Sequence, residues 1–198
     1  MRKLSAVLFV CSTLFLVVTV HAQQIDAQFG LGAVHSKSVN NFDFSDFNHS
    51  PQEVGGGVFP SLGGDVVLWN NVGVGGQVAW KGGQGFYSLA GLNYRPIIWD
   101  IDASYARRAG RVGFAGMAGI GGESIRFYGI QSCNSFSCQN FVSTNHFLTH
   151  LGAALRLYAT RSIYVAPQLD YYYVKNNQEF TSNNVTRYSI NIGFTFGK

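Results

Sequence analysis

From Tyr188 to Phe196 the chain alternates without a break, with Tyr188, Ile190, Ile192, Phe194 and Phe196 on one parity and Ser189, Asn191, Gly193 and Thr195 on the other. A period of two marks a β-strand with two unlike faces. This feature constrains the fold most, because the same period recurs along the chain while the one long apolar run, residues 6–20, stands at its start. A chain patterned this way is all-β, and the open question is which solvent meets the apolar face.

Composition bears on that question. Charged residues make up 12% of the chain, against about a quarter in an ordinary soluble domain. Aromatic residues reach 15% and there are 24 glycines. So few charges cover a water-facing surface poorly, whereas a surface that meets lipid does not need them. The apolar run follows Arg2 and Lys3 and leads to His21 and Ala22. It is shorter than the roughly 18 residues of a spanning helix and ends at an A-x-A-like site, which predicts a secretory signal peptide over residues 1–22 and a mature domain over residues 23–198. Loss of Arg2 and Lys3 lowers the formal charge from +4 to +2, too weak a balance for nucleic acid.

An exported chain without a second apolar span still enters a membrane if its strands close a barrel, since closure satisfies every backbone group. The alternation predicts strands over residues 26–35, 56–69, 72–81, one long fourth strand after Gly85 ending near Arg107, then 112–128, 146–158, 162–175 and the closing stretch. Asn70 and Asn71 suit a tight hairpin turn. The fourth strand is read as continuous, with Pro96 as a bulge, because that parity keeps short turns on one membrane side and long loops on the other. The long loops include residues 38–53 and 129–145. The sum is an all-β, eight-stranded, antiparallel up-and-down transmembrane β-barrel after a cleaved signal peptide. A soluble sandwich or lipocalin-like barrel would need the aliphatic face inward, and the other face carries too much Gly and Ala to meet water.

With eight alternating strands and the closing "RYSINIGFTFG", the chain resembles the OmpA- and OmpX-like family of small outer-membrane β-barrel domains of diderm bacteria. The resemblance implies residence in the bacterial outer membrane, lipid as one partner, and the barrel-assembly machinery as another, reading the last strand. In that family the strand ends on an aromatic residue, while here Gly197 and Lys198 follow Phe196.

An eight-stranded barrel is just wide enough for side chains to fill it. The inward parity carries Asp65, Gln77, Lys81, Asp100, Asp102, Glu123, Arg156, Gln168, Asp170, Arg187 and Asn191, and these are expected to form a paired polar network. Cys133 and Cys138 lie in the third outer loop, outside the alternating segments, and are expected to form a disulfide because an exported chain meets an oxidising compartment. His146 and His150 lie roughly 13 Å apart if on a strand, too far to share one ion, so no metal and no cofactor is expected. His35 beside Ser36 and His49 beside Ser50 carry no recognisable catalytic spacing. The expected function is therefore a non-enzymatic barrel with a filled lumen, whose loops serve structural, adhesive or ligand-contact roles toward an unidentified extracellular ligand. The alternatives are a barrel enzyme acting on lipid and a narrow ion-conducting pore.

Overall fold

The computed structural model describes residues 24–36, 52–133 and 138–197. The expected signal peptide and nearly all of the first outer loop lie outside the described residues. The strands are β1 (Gln24–Ser36), β2 (Phe59–Trp69), β3 (Val72–Trp80), β4 (Gly85–Tyr87), β5 (Leu92–Ala109), β6 (Val112–Cys133), β7 (Cys138–Tyr158), β8 (Ile163–Val174) and β9 (Asn184–Gly197). Every pairing is antiparallel between sequence neighbours, apart from β1 with β9 and β3 with β5. These two pairings, together with the hairpins, join eight strands into a ring and leave β4 as a short outer extension paired to β5. A closed ring has no unpaired edge, as the interior of a bilayer requires.

Tight turns lie at one end. Asn70 and Asn71 both take positive φ, 49° and 72°, the backbone of a two-residue turn whose twist matches its strands. Gly110 (φ 63°) closes β5 to β6, and Thr160 caps the β7–β8 turn by accepting hydrogen bonds from the backbone of Ser162 and Ile163. The start of β1 and the end of β9 share this inner end. The longer connections share the other, outer end.

Two expectations are corrected. The stretch after Gly85 is not one strand: β4 turns back through residues 88–91, with Gly91 at φ 64°, before β5 begins. Pro96 is not a bulge, since it pairs with Ile125 in unbroken register. It is tolerated because it sits where β3 ends. The Lys81 N–H donates to the Pro96 carbonyl at 3.1 Å, and the Lys81 carbonyl, which a proline cannot serve, accepts instead from Arg95 Nε at 2.8 Å.

The second correction concerns residues 129–145, read as a loop. Most of them continue the ladder as the top of the β6–β7 hairpin, past a register shift between Tyr128 and Ser132. Cys133 and Cys138 are Cα partners in that ladder rather than residues outside it.

The alternation sorts as the lipid reading requires. On β9, Tyr188, Ile190, Ile192 and Phe196 are more than half exposed, while Arg187, Ser189, Asn191 and Thr195 are buried. On β5, Trp99, Ile101 and Tyr105 point out while Asp100, Asp102 and Ser104 point in. The core of this molecule is thus polar over most of its length, and its apolar surface is the outer one.

Candidate functional site

Among the described residues the interior is where ionisable side chains converge most, and it is built in three layers. At the inner end, Arg156 of β7 donates to Asp26 Oδ2 at 2.6 Å and to Asp65 Oδ1 at 2.5 Å. Thr195 and Gln24 each add a hydrogen bond to Asp26 at 2.6 Å. The Arg156 guanidinium also stands 5.2 Å over the Tyr164 ring. That ring occupies the space at Gly193, where a Cβ would overlap it. A charge this deep persists only when paired on several sides.

The middle layer centres on His150. Its Nδ1 lies 2.9 and 3.0 Å from the two oxygens of Asp102, and its Nε2 lies 3.1 Å from Asp170 Oδ1. The ring stacks on Tyr172 at 4.8 Å between centroids. Asp170 Oδ2 accepts from Arg187 at 2.8 Å, and Arg187 also donates to Ser61 Oγ at 2.5 Å. Gln168 donates to Asp170 at 2.7 Å and accepts from Asn191 at 2.6 Å. Gln77 joins the chain by donating to the Tyr172 hydroxyl at 2.9 Å. Gly30 supplies the room, since a Cβ there would overlap Asn191 and crowd Ser61.

Asp100, Asp102 and His150 hold ligand-type atoms within 4.8 Å of one another. Both ring nitrogens of His150, however, face carboxylates. Two acceptors call for two N–H donors, the imidazolium form, which has no lone pair for a metal. The arrangement serves charge pairing better than coordination.

The outer layer is apolar. Val54, Phe59, Tyr94, Ile98, Ile125, Leu148, Phe180 and Val185 are buried against one another across the mouth. Lys81 stands at this level, not in the central network: its Nζ donates to the Gly55 carbonyl at 2.7 Å and to the Tyr94 hydroxyl at 3.2 Å. Glu123 lies just beneath, 1% exposed, and neither carboxylate oxygen has a hydrogen-bond partner among the described residues. Nearby, His146 Nε2 approaches Glu179 Oε2 to 2.9 Å without hydrogen-bond alignment, so only proximity is counted there.

Between the lower layers a small cavity of about 10 Å³ is lined by residues that include Asp65, Gln77, Asp102 and Ser104, room for about one water. The expected network did not include Asp26, Ser61, Tyr172 and Thr195, although all four share the inward parity of their strands and Tyr172 and Thr195 read as inward-facing from the alternation.

No family model and no curated protein sequence matches the chain. Solved structures do. Neisserial surface protein A aligns over 87% of this chain and 97% of its own with a TM-score of 0.61 at 11% identity. Ail, the attachment invasion locus protein of Yersinia pestis, aligns over 88% and 99% with a TM-score of 0.57 at 14% identity. The N-terminal β-barrel domain of Pseudomonas aeruginosa OprF aligns over 88% and 98% with a TM-score of 0.50 at 14% identity. With its lipid-facing exterior and ring of eight strands, the chain has the fold of the small eight-stranded outer-membrane β-barrels.

Proposed function

We propose that the protein is a non-enzymatic barrel of the bacterial outer membrane whose interior serves only to fill and block the lumen and whose outer loops do its work. The observation that carries this reading is the filling of the lumen. Two ionic layers and an apolar lid occupy it, and in the middle layer both ring nitrogens of His150 and both oxygens of Asp170 are engaged within the cluster. A group engaged on both sides is poorly placed to serve as an acid, base or nucleophile toward a bound lipid. Beyond the apolar band, the β6–β7 hairpin continues as paired strands up to Cys133 and Cys138, and surface already ordered by pairing costs less entropy on binding. Strand β9 is the segment offered to the assembly machinery.

Refolded protein in vesicles of phospholipid and lipid A tests the reading. The expected outcome is no ion flux across the vesicle wall and no change in lipid mass by mass spectrometry. Stepwise flux would convert the assignment to a pore, and released acyl chains would convert it to an enzyme.

A further inference from the structure

Arg95 and Arg126 face outward, directly opposite each other on β5 and β6. Like charges placed directly across a ladder repel. Among the described residues neither guanidinium has a carboxylate within ion-pair distance. Arg95 is tethered through Nε to the Lys81 carbonyl and donates no other side-chain hydrogen bond among the described residues. Arg126 lies 5.2 Å from the Phe141 ring and donates no hydrogen bond among the described residues. Two half-buried cations whose donors are unused among the described residues ask for a shared anion.

Their height identifies it. On the outer face of β5 the residues Ile97, Trp99, Ile101, Ala103 and Tyr105 separate Arg95 from Arg107. Twelve residues span about 40 Å along a strand. At a tilt of about 40° that is about 30 Å along the membrane normal, just more than the apolar band of about 25 Å. Both arginines therefore stand slightly outside the hydrocarbon, at the depth of lipid phosphates. At the inner end Arg108 is already consumed, donating to the Gly110 and Arg161 carbonyls and lying 3.6 Å over the Tyr158 ring.

The surface around the outer pair changes character at the same height. Ser124, opposite Ile97, and Asn145, opposite Ser124, give a polar shelf. Directly below, Trp99 lies over Gly122, where a Cβ would crowd the indole, and Phe147 is exposed beside it.

We infer that Arg95 and Arg126 clamp the headgroup phosphate of an outer-leaflet lipid, with its acyl chains descending over Trp99 and Phe147. Guanidinium groups bind phosphate oxygens through paired N–H donors, a geometry that lysine does not reproduce. The site goes beyond the function proposed above and needs from it only the membrane orientation.

The test uses tag-free refolded protein in non-ionic detergent, with diphosphorylated lipid A as the probe and native mass spectrometry as the readout. One lipid A is expected to remain bound, with affinity at least tenfold weaker in Arg95→Gln/Arg126→Gln and in Arg126→Gln alone. Arg107→Gln/Arg108→Gln should bind as the parent does. Inorganic phosphate at millimolar concentration should not displace the lipid, since it lacks the chains. Parent-like retention by the outer double variant overturns the proposal, as does displacement by inorganic phosphate. Heat-modified gel mobility is recorded for each variant. A variant that folds yet loses lipid speaks to this site alone, whereas parent protein that fails to form a heat-modifiable barrel would instead remove the membrane reading.

Discussion

Asp170 and Glu123 are carboxylates of the same barrel interior, yet neutralising them has opposite consequences. Asp170 is wholly buried and engages His150, Arg187 and Gln168 at once. Asp170→Asn removes the charge that two buried cations rely on and is expected to cost about 3 kcal/mol. Glu123 is as deeply buried, but neither oxygen has a partner. Glu123→Gln keeps the shape while replacing a carboxyl that has no counter-ion among the described residues, and is expected to be neutral or stabilising by about 1 kcal/mol. Urea unfolding in lipid vesicles ranks the two, and equal losses would contradict this account of the interior. Gly193 gives a second contrast. Gly193→Ala drives a Cβ into Tyr164 and should cost about 2 kcal/mol, while the same change in a Tyr164→Ala background should cost much less, because the obstruction is gone.

Strand β9 presents its two faces to two solvents. Ile192, exposed to lipid near the middle of the strand, should cost about 2 to 4 kcal/mol as Ile192→Lys. Asn191→Lys, one residue away and inside among polar groups, should cost less. That alternation was legible in the sequence because lipid on one side and a packed interior on the other force a period of two. Where the chain leaves the membrane the forcing ends. Thus the β6–β7 hairpin beyond Tyr128 has polar residues on both parities and reads as loop, although the ladder continues to Cys133 and Cys138. The turn before β5 was missed for a related reason: its residues Ser88, Leu89, Ala90 and Gly91 carry one weak signal, and the proline that seemed to mark a defect lies at a strand junction where no N–H is needed. Polar partners within the lumen were legible by parity, but which residue meets which depends on register and stagger around the ring. The paired cysteines belong to this element. Residues opposed in an antiparallel ladder stand at Cα separations of about 4.5 to 5.5 Å, within disulfide range, and Cys138 is disulfide-bonded. We propose Cys133 as its partner. Serine at both positions is expected to leave heat-modified mobility unchanged and to raise protease cutting at the hairpin tip, because the bond closes only the last turn of a ladder whose lower part is held by the barrel.

The three layers of the interior are held by different forces, so they should fail independently. The outer lid is held by apolar contact among Phe59, Tyr94, Phe180 and their neighbours, and the two layers below it by ion pairs anchored on Arg187 and Arg156. Closure of the ring depends on none of them, since the β1–β9 and β3–β5 ladders are backbone hydrogen bonds. Replacing Phe59, Tyr94 and Phe180 together by alanine opens the mouth and should lower stability by several kcal/mol, at about 3 to 5 kcal/mol per large core truncation before relaxation. It should not open a path. The His150, Asp102, Asp170 and Arg187 cluster still crosses the lumen below, its side chains held on one another. In planar bilayers the triple variant is therefore expected to remain silent while migrating as a folded barrel. Adding Arg187→Ala to it removes the strongest tie in the middle layer and leaves Asp170 without its guanidinium. That quadruple variant is the first in the series expected to pass small cations, because the exposed carboxylates of Asp100, Asp102 and Asp170 would then line the opening. Conductance already in the triple variant would place the barrier in the lid alone and reject the layered description.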